Sequence, residues 1–236
     1  MADHLSEEEQ IEALKRWWAA NGIPTIAAVV LVIGGYFGWQ YWEQQQEIQT
    51  NQASEVYLDM IEIVSATEAG DQLDSTQQAQ INLSADQLKD NHSDSAYAQF
   101  AAMLKAKLAV DNGDLDGAVN ELNWALNNDP APPTERLVRL RLARVEAARG
   151  NVDVALQMVQ GIDTAEMKSS YEEAKGDFYL LQGNSAAAFT AYESALASNE
   201  SRDQMVANIL QLKISQVRPA ETAPDENSEQ TIGAVK

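Results

Sequence analysis

Residues 23–42, IPTIAAVVLVIGGYFGWQYW, run for 20 positions without one Asp, Glu, Lys, Arg or His. A helix rises about 1.5 Å per residue, so this stretch spans roughly 30 Å, the thickness of a bilayer's hydrocarbon core. Hydrocarbon offers no partner to a bare backbone amide, and a lone span in lipid is therefore a helix. The expected order is a short arm (1–22), a transmembrane helix (23–42) and a polar region beyond it.

The flanks fit that reading. Trp39, Tyr41 and Trp42 crowd one end of the stretch, and Trp17 and Trp18 precede the other. Amphipathic aromatic rings favour the headgroup layer. Pro24 is expected near a first helical turn, where its missing N–H costs little. Gly34 and Gly38 stand four residues apart, a spacing that lets membrane helices approach closely, although glycine is common in such helices anyway. A cleaved signal peptide would have a shorter apolar core and small residues at its cut site. Here the core runs into WQYWEQQQE, which reads as an uncleaved anchor. Lys15 and Arg16 precede the span, whereas the next basic residue after it is Lys89. The positive-inside rule then keeps the arm in the cytoplasm and sends the large region outward, into the periplasm of a Gram-negative cell.

The formal charge is −20, and residues 43–236 hold 14 basic against 31 acidic residues. That balance argues against nucleic acid or an anionic membrane surface as partner, since both reward clustered Lys and Arg. There is no cysteine, which excludes disulfides and thiolate chemistry.

Along the arm, Ser6 and Glu9 form a capping-box pattern, and Ile11, Leu14, Trp17 and Trp18 share a helical face. That face lies in the headgroup layer, touches a partner, or simply leads into the span. Residues 43–94 read as a helical linker and a degenerate first helical pair. Val56, Met60, Ile63 and Val64 carry one helix to a break at 68–71. A second helix is expected over 76–90, with Ile81, Leu83 and Leu88 apolar, and a cap for the next at Ser93 or Asp94.

Residues 95–217 repeat one pattern: a helix, a turn holding Gly, then a helix that opens on Ala. The turns are NGDLDGA (112–118), RGNVDVA (149–155) and QGNSAAA (182–188). Their alanines, Ala118, Ala155 and Ala188, lie 37 and 33 residues apart, close to the tetratricopeptide period of 34. Glycine closes the first helix where a left-handed residue is needed, and alanine lets the second helix cross it closely. Leu122, Val159 and Tyr192 follow on the same face, and then Ala125, Ile162 and Ala195 at the next crossing. Pro130 ends the first unit, and Gly176 and Tyr179 add matches in the third. A capping helix is expected over 201–217 on Met205, Ile209, Leu212 and Ile214 or Val217, and a disordered acidic tail over 218–236. The expected fold is all-α: one transmembrane helix followed by a tetratricopeptide-like solenoid.

No catalytic constellation stands in the chain. His4 and His92 fall on opposite sides of the span, and there is no G-x-S-x-G, phosphate-binding loop or H-E-x-x-H. No enzyme activity, cofactor or metal is expected. Arg136, Arg139, Arg141, Arg144 and Arg149 cluster on the first helix of the middle unit. They form either a solvated, salt-bridged face or an anchor for a partner's carboxylates, which Arg grips bidentately. In tetratricopeptide domains the first helices line a concave groove. The resemblance places there Phe100, Met103, Lys107 and Val110, then Leu137, Leu140 and Arg144, then Glu173, Asp177, Leu180 and Leu181. Some of these side chains would serve packing between repeats instead.

The arm and span EALKRWWAANGIPTIAAVVLVIGGYFGWQYW carry a wider resemblance. So do QLKDNHSDSAYAQFAAMLKAKLAVDNGDLDGAVNEL, RLRLARVEAARGNVDVALQMV and KGDFYLLQGNSAAAFTAYESAL. Together they resemble the YfgM-type ancillary subunits of the bacterial SecYEG translocon. The resemblance implies an inner-membrane protein with a periplasmic tetratricopeptide domain, associated with SecYEG and with the membrane-anchored chaperone PpiD. Its implied role is to receive or hand on emerging secretory polypeptides. The alternative keeps the fold and makes it a scaffold of another envelope assembly, in cell-wall or outer-membrane biogenesis.

Overall fold

The computed structural model describes residues 7–67, 72–199 and 203–218, and among these every regular element is helical. The chain divides into two units, Met1–Glu55 and Val56–Lys236, with the division inside the first helix, α1 (Glu7–Ala66). The cap at Ser6, the break at 68–71, the position 201 start and the tail from 219 lie outside the described residues.

In the first unit α1 passes through Pro24 without ending. The expectation of Pro24 at a first turn is therefore corrected: it lies in a helix interior. Asn21 Nδ2 donates to the Trp17 carbonyl at 3.0 Å, and Thr25 Oγ1 donates to the Asn21 carbonyl at 2.7 Å. These local bonds hold the turn that a proline's missing N–H weakens. The Trp18 indole covers Gly22, approaching to 3.2 Å of where a Cβ would stand. Beyond it the apolar side chains face outward all round, with Ile23, Leu31 and Val32 exposed by 85, 76 and 73%. The most apolar 18-residue window of α1 has a mean hydropathy of 1.7 and is only 6% buried. Such a surface is at home in hydrocarbon, and α1 is a candidate membrane span by length and composition. A Cβ at Gly34, Gly35 or Gly38 would meet nothing within 4 Å.

The second unit continues with α2 (Ser75–Asn91), α3 (Ala96–Asp111), α4 (Leu115–Asn127), α5 (Pro132–Ala148) and α6 (Val152–Val159). After a 3-10 turn (Ala165–Met167) come α7 (Lys168–Leu181), α8 (Ser185–Ala197) and α9 (Gln204–Val217). Neighbours in sequence pack together from α2 to α9, and α5 also touches α7. That is the contact pattern of stacked helix pairs.

The three pair turns are built alike. Gly113, Gly150 and Gly183 take φ of 77°, 89° and 75°. In each turn the amide three residues beyond the helix reaches back five residues: Asp114 to Ala109, Asn151 to Glu146, Asn184 to Tyr179, at 2.8–2.9 Å. The glycine amides bond to Val110, Ala147 and Leu180 at 2.9–3.0 Å. This paired closure satisfies the last carbonyls of a helix and needs a left-handed residue. Asp114 and Asn184 then cap the following helix through their side chains, accepting from the Gly117 and Ala187 amides. Ala118, Ala155 and Ala188 are fully buried at the crossings, with Leu122, Val159 and Tyr192 beneath them. In the third pair α7 meets α8 so closely that a Cβ at Gly176 would stand 2.3 Å from the Tyr192 ring.

Four local expectations are corrected. The α3 cap is Ser95, whose Oγ accepts from the Ala98 amide at 3.2 Å, because positions 93–94 are taken up in a turn. Leu83 is exposed on α2, which packs through Ile81, Ala85 and Leu88. Ile162 is not a second helical crossing: α6 stops at Val159, Gly161 takes φ 70°, and Ile162 packs from the loop. α9 buries Leu210, Ile214 and Val217, with Val206 beside them, and leaves Met205, Ile209 and Leu212 outside. Two apolar stripes run along that helix, and periodicity favours neither.

Candidate functional site

Lys107, Arg144 and Asp177 each stand eleven residues before the alanine that opens the next helix. They therefore hold the same register on α3, α5 and α7, yet their surroundings differ.

Between α3 and α5 a pocket of about 240 Å³ opens to solvent. Met103, Ala106, Val110, Leu122 and Val145 form its apolar wall, and Lys107, Arg141 and Arg144 supply its charges. Met103, Leu122 and Val145 also belong to the core joining α3, α4 and α5, so the pocket is a gap left in that core's edge. Lys107 reaches Asp111 at 2.5 Å on its own helix, where both are exposed. Arg144 has Glu173 at 3.7 Å. Arg141 makes no ion pair or hydrogen bond among the described residues. Burial holds its guanidinium below its ordinary pKa, and the Arg144 charge adds to the effect.

The other arginines of the cluster are committed. Arg136 pairs with Glu166 at 3.4 Å, Arg139 with Glu135, and Arg149 with Glu146 and Asp116. Arg149 is the C-cap of α5 rather than part of its body.

At the third register the charge is reversed and closed off. Lys213, on α9, donates to Glu173 at 2.8 Å and to both oxygens of Asp177 at 2.7 and 3.0 Å. The Tyr192 hydroxyl donates to Asp177 Oδ1 at 2.7 Å, and the Lys213 ammonium sits 5.5 Å from the Tyr192 ring centre. Burial alone would lower the Lys213 pKa, but the bonds and charges of Asp177 and Glu173 outweigh it and carry it above the ordinary value. Burial, then Asp177, pushes the Tyr192 phenol well up.

The remaining groove candidates divide. Leu140 is 2% exposed and lies in the core shared by α5, α6 and α7, so it is not on offer to a ligand. Phe100 packs against the core of the first pair, with the Tyr57 ring 6.0 Å away. Tyr57 also meets Tyr97 at 5.6 Å, and burial raises its phenol. Leu137 is half-buried, whereas Leu180 and Leu181 are exposed. The structure thus gathers Met103, Lys107, Val110 and Arg144 at one pocket and leaves Phe100, Leu137, Leu140, Asp177 and Leu180 outside it. Arg141 joins the pocket from the arginine cluster.

A second hollow, of about 440 Å³, lies among α2, α3 and α4, lined by Asn82, Asp86, Lys105, Asn112 and Glu121 among others. Its charges are spent within the fold: Lys105 binds Asp86 at 2.5 Å and Glu121 at 3.1 Å, Lys89 binds Glu121 at 2.6 Å, and Asp114 caps α4. No cluster of His, Cys, Asp and Glu suited to a metal occurs among the described residues.

Sequence comparison supplies the context. Residues 15–219 match the tetratricopeptide repeat-like domain family. An ancillary SecYEG translocon subunit of Haemophilus influenzae is 32% identical over 209 residues, covering 89% of this chain and 98% of the relative. The chain belongs to the ancillary SecYEG translocon subunits. The likeness extends to the family's representatives in Escherichia coli, at 26% over 215 residues (91% of this chain, 98% of the relative), and Neisseria gonorrhoeae, at 25% over 218 (92% and 100%). The family match over residues 15–219 takes in the apolar stretch as well as the repeats.

Proposed function

We propose that the chain is a single-span inner-membrane subunit associated with the SecYEG translocon. Its helical-repeat domain stands in the periplasm and binds a membrane-anchored chaperone of the PpiD kind, emerging secretory polypeptides, or both. The observation that carries this reading is the near full-length likeness to relatives named as ancillary SecYEG translocon subunits. The apolar α1 supports anchoring, and the Lys15–Arg16 pair before the span supports an outward domain. Tethering raises the domain's effective concentration beside a channel without any added contact. The mechanism is binding without bond chemistry, as befits a family named as ancillary subunits on a repeat scaffold. Affinity purification from membranes solubilised in mild detergent tests it, with SecYEG expected to come down with the tagged chain. Recovery of intact chain without SecYEG, or with cell-wall or outer-membrane assembly proteins in its place, would refute the proposal. Alkaline phosphatase fused to the C-terminus should be active, and an inactive fusion would reverse the topology.

A further inference from the structure

We propose that the pocket between α3 and α5 binds a polypeptide segment in which a large apolar residue stands beside Asp or Glu. The apolar side chain fills the gap, and the carboxylate lies against Arg141 and Arg144. This rests on the reading of the domain as a polypeptide-binding module and names the sequence class it selects. Charge complementarity carries it. The chain holds 36 acidic against 16 basic residues, so most of its surface repels an acidic segment. At this pocket the sign is inverted: Lys107, Arg141 and Arg144 ring an apolar wall, and among the described residues no carboxylate lines it. Every other arginine of α5 and its cap has a carboxylate of this chain in contact. Arg144 has only a long one, at 3.7 Å, and Arg141 has none among the described residues.

Arg141 and Arg144 stand three residues apart on one helix, near enough to repel each other, and neither forms an ion pair with α3. A ligand carboxylate between them does so, through the forked donors that suit it. A Lys or Arg beside the apolar residue would add a like charge at the same place, so the pocket discriminates by repulsion as well as attraction. The apolar wall supplies the second requirement, because an acidic segment lacking a large side chain leaves the gap empty.

Peptide binding to the full-length chain in detergent micelles tests this, read by fluorescence anisotropy. The probe is a short labelled peptide with Phe flanked by Glu. Its matched controls carry Lys for Glu, or Ala for Phe. The Glu–Phe peptide should bind, both controls should bind at least about tenfold more weakly, and Arg141→Gln with Arg144→Gln should weaken the Glu–Phe peptide by a similar factor. An unchanged melting temperature shows that the double variant is folded. Equal binding of the Glu and Lys peptides, or undiminished binding by the folded double variant, overturns the proposal. Binding that appears only when residues 219–236 are removed gives the pocket to the chain's own acidic tail and overturns it too. Failure here with SecYEG still co-purifying leaves the translocon reading intact, whereas loss of SecYEG from the unaltered chain breaks that reading instead.

Discussion

The first-helix faces of the first two repeat pairs and of the third hold the same register and end in opposite states. On α7, Glu173 and Asp177 are met by Lys213 from α9, with the Tyr192 hydroxyl closing the set. On α3 and α5, Lys107, Arg141 and Arg144 surround a gap that no element among the described residues fills. One end of the row has been made into structure; the other has cations and apolar surface to spare. A repeat array therefore need not use its equivalent positions equivalently. The closed end tells a reader where the fold is held, and the open end tells where a ligand's chemistry would fit.

That contrast can be broken by substitution. The largest loss is expected from Gly176→Leu. A Cβ there would stand only 2.3 Å from the buried Tyr192 ring, so the leucine branch forces α7 and α8 apart. Overpacking of this kind costs about 3 kcal/mol or more, read by urea denaturation of the full chain in micelles. A variant as stable as the parent would mean that the two helices do not cross there. Lys213→Met comes next, at about 1–2 kcal/mol, because it leaves two half-buried carboxylates facing each other without their shared cation.

The same ammonium sets an alkaline limit. Lys213 stands above its ordinary value of 10.5 when folded, so its contribution is complete below that pH and is lost as pH rises through the folded value. Tyr192, raised from 10.0, acts in the same direction. Stability should be level near neutrality and fall above about pH 10, and Lys213→Met should keep only the tyrosine's share of the fall. A loss centred near pH 7 would contradict the pairing. The smallest effect belongs to the open end: Arg141→Gln should change stability by less than about 0.5 kcal/mol, since it breaks no ion pair. A larger loss would mean that Arg141 is part of the fold after all.

Much of this was legible in the residues. Glycine at 113, 150 and 183 and alanine at 118, 155 and 188 are steric demands made within a few residues, and the turns and crossings follow them. The absence of charge over 23–42 is equally local. Features set by distant partners were not legible. Periodicity on α9 offers two apolar stripes, and which one is buried depends on where Lys213 meets a helix 36 and 40 residues earlier. Ile162 fitted the crossing by count, but a left-handed Gly161 ended its helix first. Among five clustered arginines, which one lacks a carboxylate is decided by loops and neighbouring helices. Arg141 stood in that cluster without any local mark. Leu140 shared the groove register with Arg144 yet turns into the core, since one helix face serves both packing and display.

A photoreactive amino acid placed in living cells at Lys107, and separately at Leu180, compares the open end with the exposed surface beside the closed one. Ultraviolet adducts to translocon-associated chaperone or newly exported chains should form at 107 and be scarce at 180. Adducts of equal yield at both, or at 180 alone, would contradict the placing of the binding face between α3 and α5.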